Sequence, residues 1–163
     1  MDILILGGTG AMGLPLVEIL KSEGNNLYVT SRRKLSSEDN LHYIQGNAKE
    51  PNFFESLLNR KYDVVIDFMV YGTEELQERL PQLLSHTGQY CFFSSSRVYA
   101  ESKQPITEDS PRLLDVCTDQ EYLCTDEYAL AKAREEDLLK KSKEKNWTII
   151  RPYITYNDYR LQL

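Results

Sequence analysis

The chain has 163 residues, of which 41% are hydrophobic and 27% charged, a balance that fits one globular domain and leaves no room for a second. Its formal net charge of -6 argues against nucleic-acid binding through phosphate neutralisation, which needs a concentrated excess of Lys and Arg. Cys91, Cys117 and Cys124 form no Cys-x-x-Cys pair, so neither a disulfide framework nor a metal site is expected, and no apolar stretch approaches the roughly 18 residues of a membrane span.

Asp2–Leu6 is a short apolar run that reads as a strand, and Gly7-Gly8-Thr9-Gly10-Ala11-Met12-Gly13 follows it directly. A first helix is expected over Met12–Ser22, where apolar residues recur at three- and four-residue spacing. The second strand, Leu27–Thr30, ends in Ser31-Arg32-Arg33, and the polar link Leu35–Asn40 carries no convincing helix before a third strand at Leu41–Ile44. A helix over Pro51–Asn59, a strand over Asp63–Phe68, a helix over Thr73–Ser85 and a strand over Tyr90–Phe93 come next. An irregular segment with Pro105 and Pro111 runs from about Ala100 to Thr125. It leads into a long helix, Asp126–Lys145, whose charges are expected on its outer faces, and a sixth strand, Trp147–Ile150. The alternation predicts an α/β fold, a doubly wound, mostly parallel sheet of about six strands with helices on both faces.

The glycines sit where a phosphate cradle needs them, between a first strand and a first helix. Gly7 permits the tight turn, Gly10 lets the backbone approach a pyrophosphate, and Gly13 lets helix and strand pack closely. Thr9, Ala11 and Met12 are assigned to the same loop, and the free N–H groups of the helix start would receive the negative charge. An acidic residue normally takes the ribose hydroxyls of NAD at the end of the second strand. Ser31 and Arg32 stand there instead, a pair that suits a 2′-phosphate, so NADP is favoured over NAD.

Tyr-x-x-x-Lys spacing on a helix sets a phenol and an ammonium on one face, where the ammonium favours the phenolate and reaches a nicotinamide ribose. The chain has two such pairs, Tyr99 with Lys103 and Tyr128 with Lys132. Only the second lies in a strongly helical run, so Tyr128 and Lys132 are the expected acid/base pair. Ser94, Ser95 and Ser96 follow the fifth strand, at the sheet edge where open α/β folds bind their ligands.

Taken together, Gly7-x-x-Gly10-x-x-Gly13, Ser94-Ser95-x-x-Val98-Tyr99, Tyr128-x-x-x-Lys132 and Arg151-Pro152 make the chain resemble the extended short-chain dehydrogenase/reductase superfamily, specifically its NAD-dependent epimerase/dehydratase family. The resemblance implies a Rossmann fold and a catalytic triad of Ser95, Tyr128 and Lys132. It implies a reaction in which the tyrosine takes a proton from a sugar hydroxyl while hydride passes to the nicotinamide. It also implies cofactor contacts from Asn47 and Ala48, from Phe68 and Met69 in place of the usual small-residue turn, and from Lys132, Pro152 and Tyr153. Ser96 and Arg97 stand where dehydratases carry an acidic pair, which disfavours dehydration. The implied partner is a nucleotide sugar, with no nucleic acid and no membrane; a homodimer is compatible with the resemblance, and the expected compartment is the cytoplasm. The family carries a C-terminal substrate domain, so residues 1–163 are expected to be its NAD(P)-binding portion alone, and inactive by itself. The competing readings are a non-catalytic NAD(P)-binding sensor or scaffold, and an RNA-associated relative that the acidic balance disfavours.

Overall fold

The computed structural model describes residues 1–157 and 160–162, with side chains to residue 155. β1 (Asp2–Leu6) lies in the middle of a six-stranded sheet with β2 (Asn26–Ser31), β3 (Leu41–Gln45), β4 (Tyr62–Asp67), β5 (Thr87–Phe93) and β6 (Trp147–Ile150). The order is β3-β2-β1-β4-β5-β6 and every pairing is parallel. Ile3 stands opposite both Leu27 and Val64. The strand order reverses at β1, so the chain leaving β1 and the chain leaving β4 diverge and open a crevice at the carboxyl edge.

Alternate residues of β1 feed two separate cores. Leu4 and Leu6 join Val65, Tyr90 and Phe92 against α2 (Pro51–Leu57), α3 (Thr73–Ser85) and α6 (Tyr128–Lys141), through Phe54, Leu76, Leu83 and Leu139. Ile3 and Ile5 join Leu27, Val29 and Ile66 against Val17 of α1 (Gly13–Ser22). The doubly wound sheet with helices on both faces is therefore present, although the faces are unequal. Fully burying each such aliphatic side chain stabilises the fold by about 1.5–3 kcal/mol, which is why strands buried on both faces read as unbroken apolar runs.

Several boundaries differ from expectation. β5 begins three residues early, at Thr87, and α6 runs from Tyr128 only to Lys141, where Ser142 turns extended. The Glu127 carboxylate caps α6 by accepting from the Ala129 N–H at 2.7 Å. The irregular segment holds two single helical turns, α4 (Leu113–Val116) and α5 (Gln120–Leu123), and its base is closed by the Ala100 N–H donating to Pro111 O at 2.9 Å. A hairpin of β7 (Thr155–Asn157) and β8 (Arg160–Gln162) follows the sheet where no strand was expected. The largest correction concerns α6. Its charges do not all face outward, because Lys132, Glu135 and Glu136 are buried beside Leu130 and Leu139.

Among the described residues no helix is long and apolar enough to cross a membrane.

Candidate functional site

The glycine loop is shaped by what cannot fit there. Gly7 has φ +71°, a conformation that L side chains rarely adopt, and its N–H donates to Thr30 Oγ1 at 2.9 Å. A Cβ on Gly13 would stand 2.3 Å from Gly8 O, so the start of α1 touches the preceding turn backbone to backbone. Met12, at the N-cap of α1, makes no side-chain capping bond to a described residue, and the partial positive charge of the helix start is turned toward the crevice.

A recess of about 590 Å³ opens in front of this loop, lined by Gly7, Thr9, Gly10, Ser31, Arg32, Arg33, Asn47, Ala48 and the segment Phe68-Met69-Val70. Ser31 accepts from the Arg33 N–H at 3.1 Å, which folds the end of β2 into a turn carrying both arginines. Its far side is clamped by a residue that sequence reasoning missed. Arg79 of α3 is buried over the Phe54 ring, 4.5 Å from its centroid, and donates to the carbonyls of Ala48 and Lys49 at 2.9 and 2.5 Å.

A second recess, about 660 Å³, brings together Met12, Ser94, Ser95, Ser96, Arg97, Tyr128, Lys132, Pro152 and Tyr153. Phe68, Met69 and Val70 line both recesses, so the two adjoin as neighbouring parts of a crevice at the carboxyl edge of the sheet. Of the expected site residues, Ala11 and Gly13 alone line neither part; Gly13 is buried under the loop. Tyr99 accompanies neither recess and has extended backbone, so Tyr99 and Lys103 lack the helical spacing that their sequence pattern would need. The Tyr99 hydroxyl accepts instead from Arg151 at 2.6 Å.

The three serines after β5 have different tasks. Ser94 is buried and donates to Glu136 Oε1 at 2.7 Å. Ser95 accepts from the Arg97 N–H at 3.2 Å, capping a single 3₁₀ turn over Ser96–Val98. That bond uses an oxygen lone pair and leaves the Ser95 hydroxyl proton for another acceptor. Tyr128, at the first turn of α6, is 37% exposed. The Arg97 guanidinium lies 5.4 Å from its ring centroid and is held by Glu127 at 2.8 Å.

Beneath the crevice lie buried carboxylates that no motif announced. Glu136 accepts a two-pronged bond from Arg151, both contacts 2.7 Å, as well as the Ser94 hydroxyl. Burial opposes the charged form of Glu136, but the Arg151 and Ser94 bonds outweigh it and hold this carboxyl below its ordinary range. Asp67 ends β4 and accepts from the Met69 N–H at 2.9 Å and the Tyr90 hydroxyl at 2.9 Å, which sets the turn that carries Phe68-Met69-Val70. Here burial wins over those bonds and pushes the Asp67 carboxyl up to about 6. A composition signal for these residues was weak, because each is one charge in an otherwise regular element.

Comparison with known proteins bears on this geometry. The chain is 31% identical to a protein of Arabidopsis thaliana described as chloroplast stem-loop binding protein of 41 kDa b, over 94% of this chain and 42% of that protein. Its fold matches the Bordetella bronchiseptica enzyme WbmH in complex with NAD+ at a TM-score of 0.68 and 19% identity, over 92% of this chain and 55% of that one. It matches the UDP-glucuronic acid 4-epimerase of Bacillus cereus in complex with NAD at 0.68 and 17%, over 94% and 56%. The chain thus spans about half the length of the proteins it matches. The profile of the NAD dependent epimerase/dehydratase family matches residues 3–159, nearly the whole chain, and the chain belongs to that family.

Proposed function

We propose that this chain is the dinucleotide-binding portion of an NAD(P)-dependent oxidoreductase or epimerase that works on a nucleotide sugar, with Ser95, Tyr128 and Lys132 at the reacting centre. The observation that carries this reading is that the two recesses adjoin at Phe68, Met69 and Val70. One long ligand can run from the arginines after β2, past the glycine loop, to Tyr128 and Lys132. The residues present fit a nicotinamide dinucleotide. Gly7, Thr9 and Gly10, with the start of α1 beside Ala11, Met12 and Gly13, would hold the pyrophosphate. Asn47 and Ala48 would take the base, Ser31 and Arg32 the 2′ position, and Lys132 the second ribose, with Pro152 and Tyr153 closing that end.

When bound, the cofactor supplies or removes a hydride. The chain's part is to hold a sugar hydroxyl and manage its proton. Tyr128 takes that proton at its phenolic oxygen, and Ser95 donates a hydrogen bond to the same sugar oxygen. The sugar class draws support from relatives of the same fold, among them the UDP-glucuronic acid 4-epimerase and MoeE5, a protein whose structure holds UDP-glucuronic acid and NAD. Ser96 and Arg97, in place of an acidic pair, disfavour dehydration. A stem-loop role like that in the plant relative's description is the less favoured reading, since a net charge of -6 works against a phosphate backbone.

In the natural full-length protein, assayed on a panel of nucleotide sugars, Tyr128→Phe is expected to lower turnover by about 10²–10⁴-fold while dinucleotide affinity stays nearly constant. Retained turnover removes Tyr128 from the mechanism. A wild-type protein that binds dinucleotide but turns over no sugar on the panel overturns the reading in favour of a non-catalytic module. Arg32→Ala is expected to weaken NADP binding about tenfold and to leave NAD binding unchanged, measured by titration of each cofactor; equal losses for both overturn the NADP preference.

A further inference from the structure

Lys132 is 1% exposed, and its ammonium donates to Glu135 Oε2 at 2.8 Å, three residues on along α6. The same ammonium lies 4.7 Å from the centroid of the Phe92 ring on β5. Glu135 is fully buried, its other oxygen Oε1 has no hydrogen-bond partner among the described residues, and it lines neither recess. Glu135 therefore touches the crevice only through Lys132. A buried carboxylate with one oxygen unsatisfied is a costly arrangement that a purely structural ion pair would avoid.

We propose that Glu135 is a positioning residue for Lys132, fixing the ammonium within α6 and offsetting the charge it presents to the Tyr128 phenol. The inference rests on the Tyr128–Lys132 reading above. In a poorly solvated site one carboxylate at hydrogen-bond distance offsets part of an ammonium's field at the groups around it. The other groups acting on the pair are Asp67 at the end of β4 and Asp126 in the turn before α6, both of which work against a charge on Glu135. Tyr90 of β5 feels Glu135 as well, and holds Asp67 by its hydroxyl. Among the described residues Arg97 is a further cation against Tyr128, and Glu127 counters it in turn. Burial pushes the Glu135 carboxyl up and outweighs the pull of Lys132, which acts to bring it down.

The test needs no substrate. With ¹³Cζ-labelled tyrosine in the natural full-length protein, the Tyr128 resonance is identified by its loss in Tyr128→Phe and followed through a pH titration. Glu135→Gln keeps the size and a hydrogen-bond acceptor but removes the charge, and the Tyr128 titration midpoint is expected to fall. A midpoint that stays in place in the folded variant overturns the proposal, because a merely structural Glu135 would change thermal stability and leave the phenol alone. If Glu135→Gln does not fold, Glu135→Asp withdraws the carboxylate by one methylene and should move the midpoint in the same direction by less; no movement again overturns it. The two readings fail separately. Turnover that survives Tyr128→Phe sinks the proposed function, whereas turnover lost in Tyr128→Phe with an unmoved midpoint in Glu135→Gln sinks only this inference.

Discussion

The two ends of the crevice are built by opposite means. At the glycine loop the walls are backbone, and the shape depends on side chains being absent: Gly13 abuts Gly8, and the Met69 sulfur stands 3.1 Å from where a Cβ on Gly7 would be. Around Tyr128 and Lys132 the walls are side chains, and the arrangement depends on charges being matched, with Arg151 on Glu136, Lys132 on Glu135 and Arg97 on Glu127. The first end is intolerant of volume and indifferent to pH. The second tolerates modest changes of volume and is sensitive to every gain or loss of a proton. A ligand site of this kind combines a steric template with an electrostatic one, and the two can be damaged independently.

The largest expected effect is at the electrostatic end. Glu136→Ala strands Arg151 and Ser94 without their acceptor and is expected to cost about 3–5 kcal/mol of folding stability, read by chemical denaturation. A loss under 1 kcal/mol would show that Arg151 finds another partner and that charge matching does not govern this end. Next comes the steric end. Gly13→Ala forces a methyl against the Gly8 carbonyl and is expected to cost about 3 kcal/mol together with most dinucleotide affinity, with no dependence on pH. A pH-dependent loss would break the division drawn above.

A smaller effect is expected from Asp67, whose carboxyl is raised to about 6 in the fold. A group raised above its unfolded value, about 3.9, stabilises fully below that value and loses its contribution as pH rises through 6. Glu136 behaves in the opposite way, since its lowered carboxyl contributes above the unfolded value of about 4.3 and fades as pH falls. The Asp67 contribution to the unfolding free energy, read by denaturation at each pH from 4 to 7, should therefore decline by an amount on the order of 2 kcal/mol. Asp67→Asn should flatten that decline, and an unchanged slope would mean that Asp67 does not titrate in this window.

The difference between the ends also explains what could be read from the chain alone. The glycine loop was legible because its spacing is local and its position, between the first strand and first helix, is diagnostic. The sheet was legible because β1, β2 and β4 are buried on both faces and read as apolar runs. Tyr128 and Lys132 could be preferred over Tyr99 and Lys103 because helical character around them was visible. Glu135, Glu136 and Asp67 were not legible, since pattern reasoning sends charges on a helix to solvent and cannot see the Arg151 guanidinium arriving from a distant strand end to hold Glu136. The β7–β8 hairpin escaped for a different reason. Three-residue strands are too short for any periodicity to register.

Phe68, Met69 and Val70 border both parts of the crevice, and this has a consequence for how the protein can change over generations. Ser31, Arg32 and Arg33 line the first recess and not the second, so on the proposed reading nucleotide preference can drift while everything around Tyr128 stays as it is. A substitution at Phe68, Met69 or Val70 is judged by both at once, and few replacements will satisfy two juries. Variants with altered cofactor choice should accordingly accumulate after β2 long before they accumulate after β4.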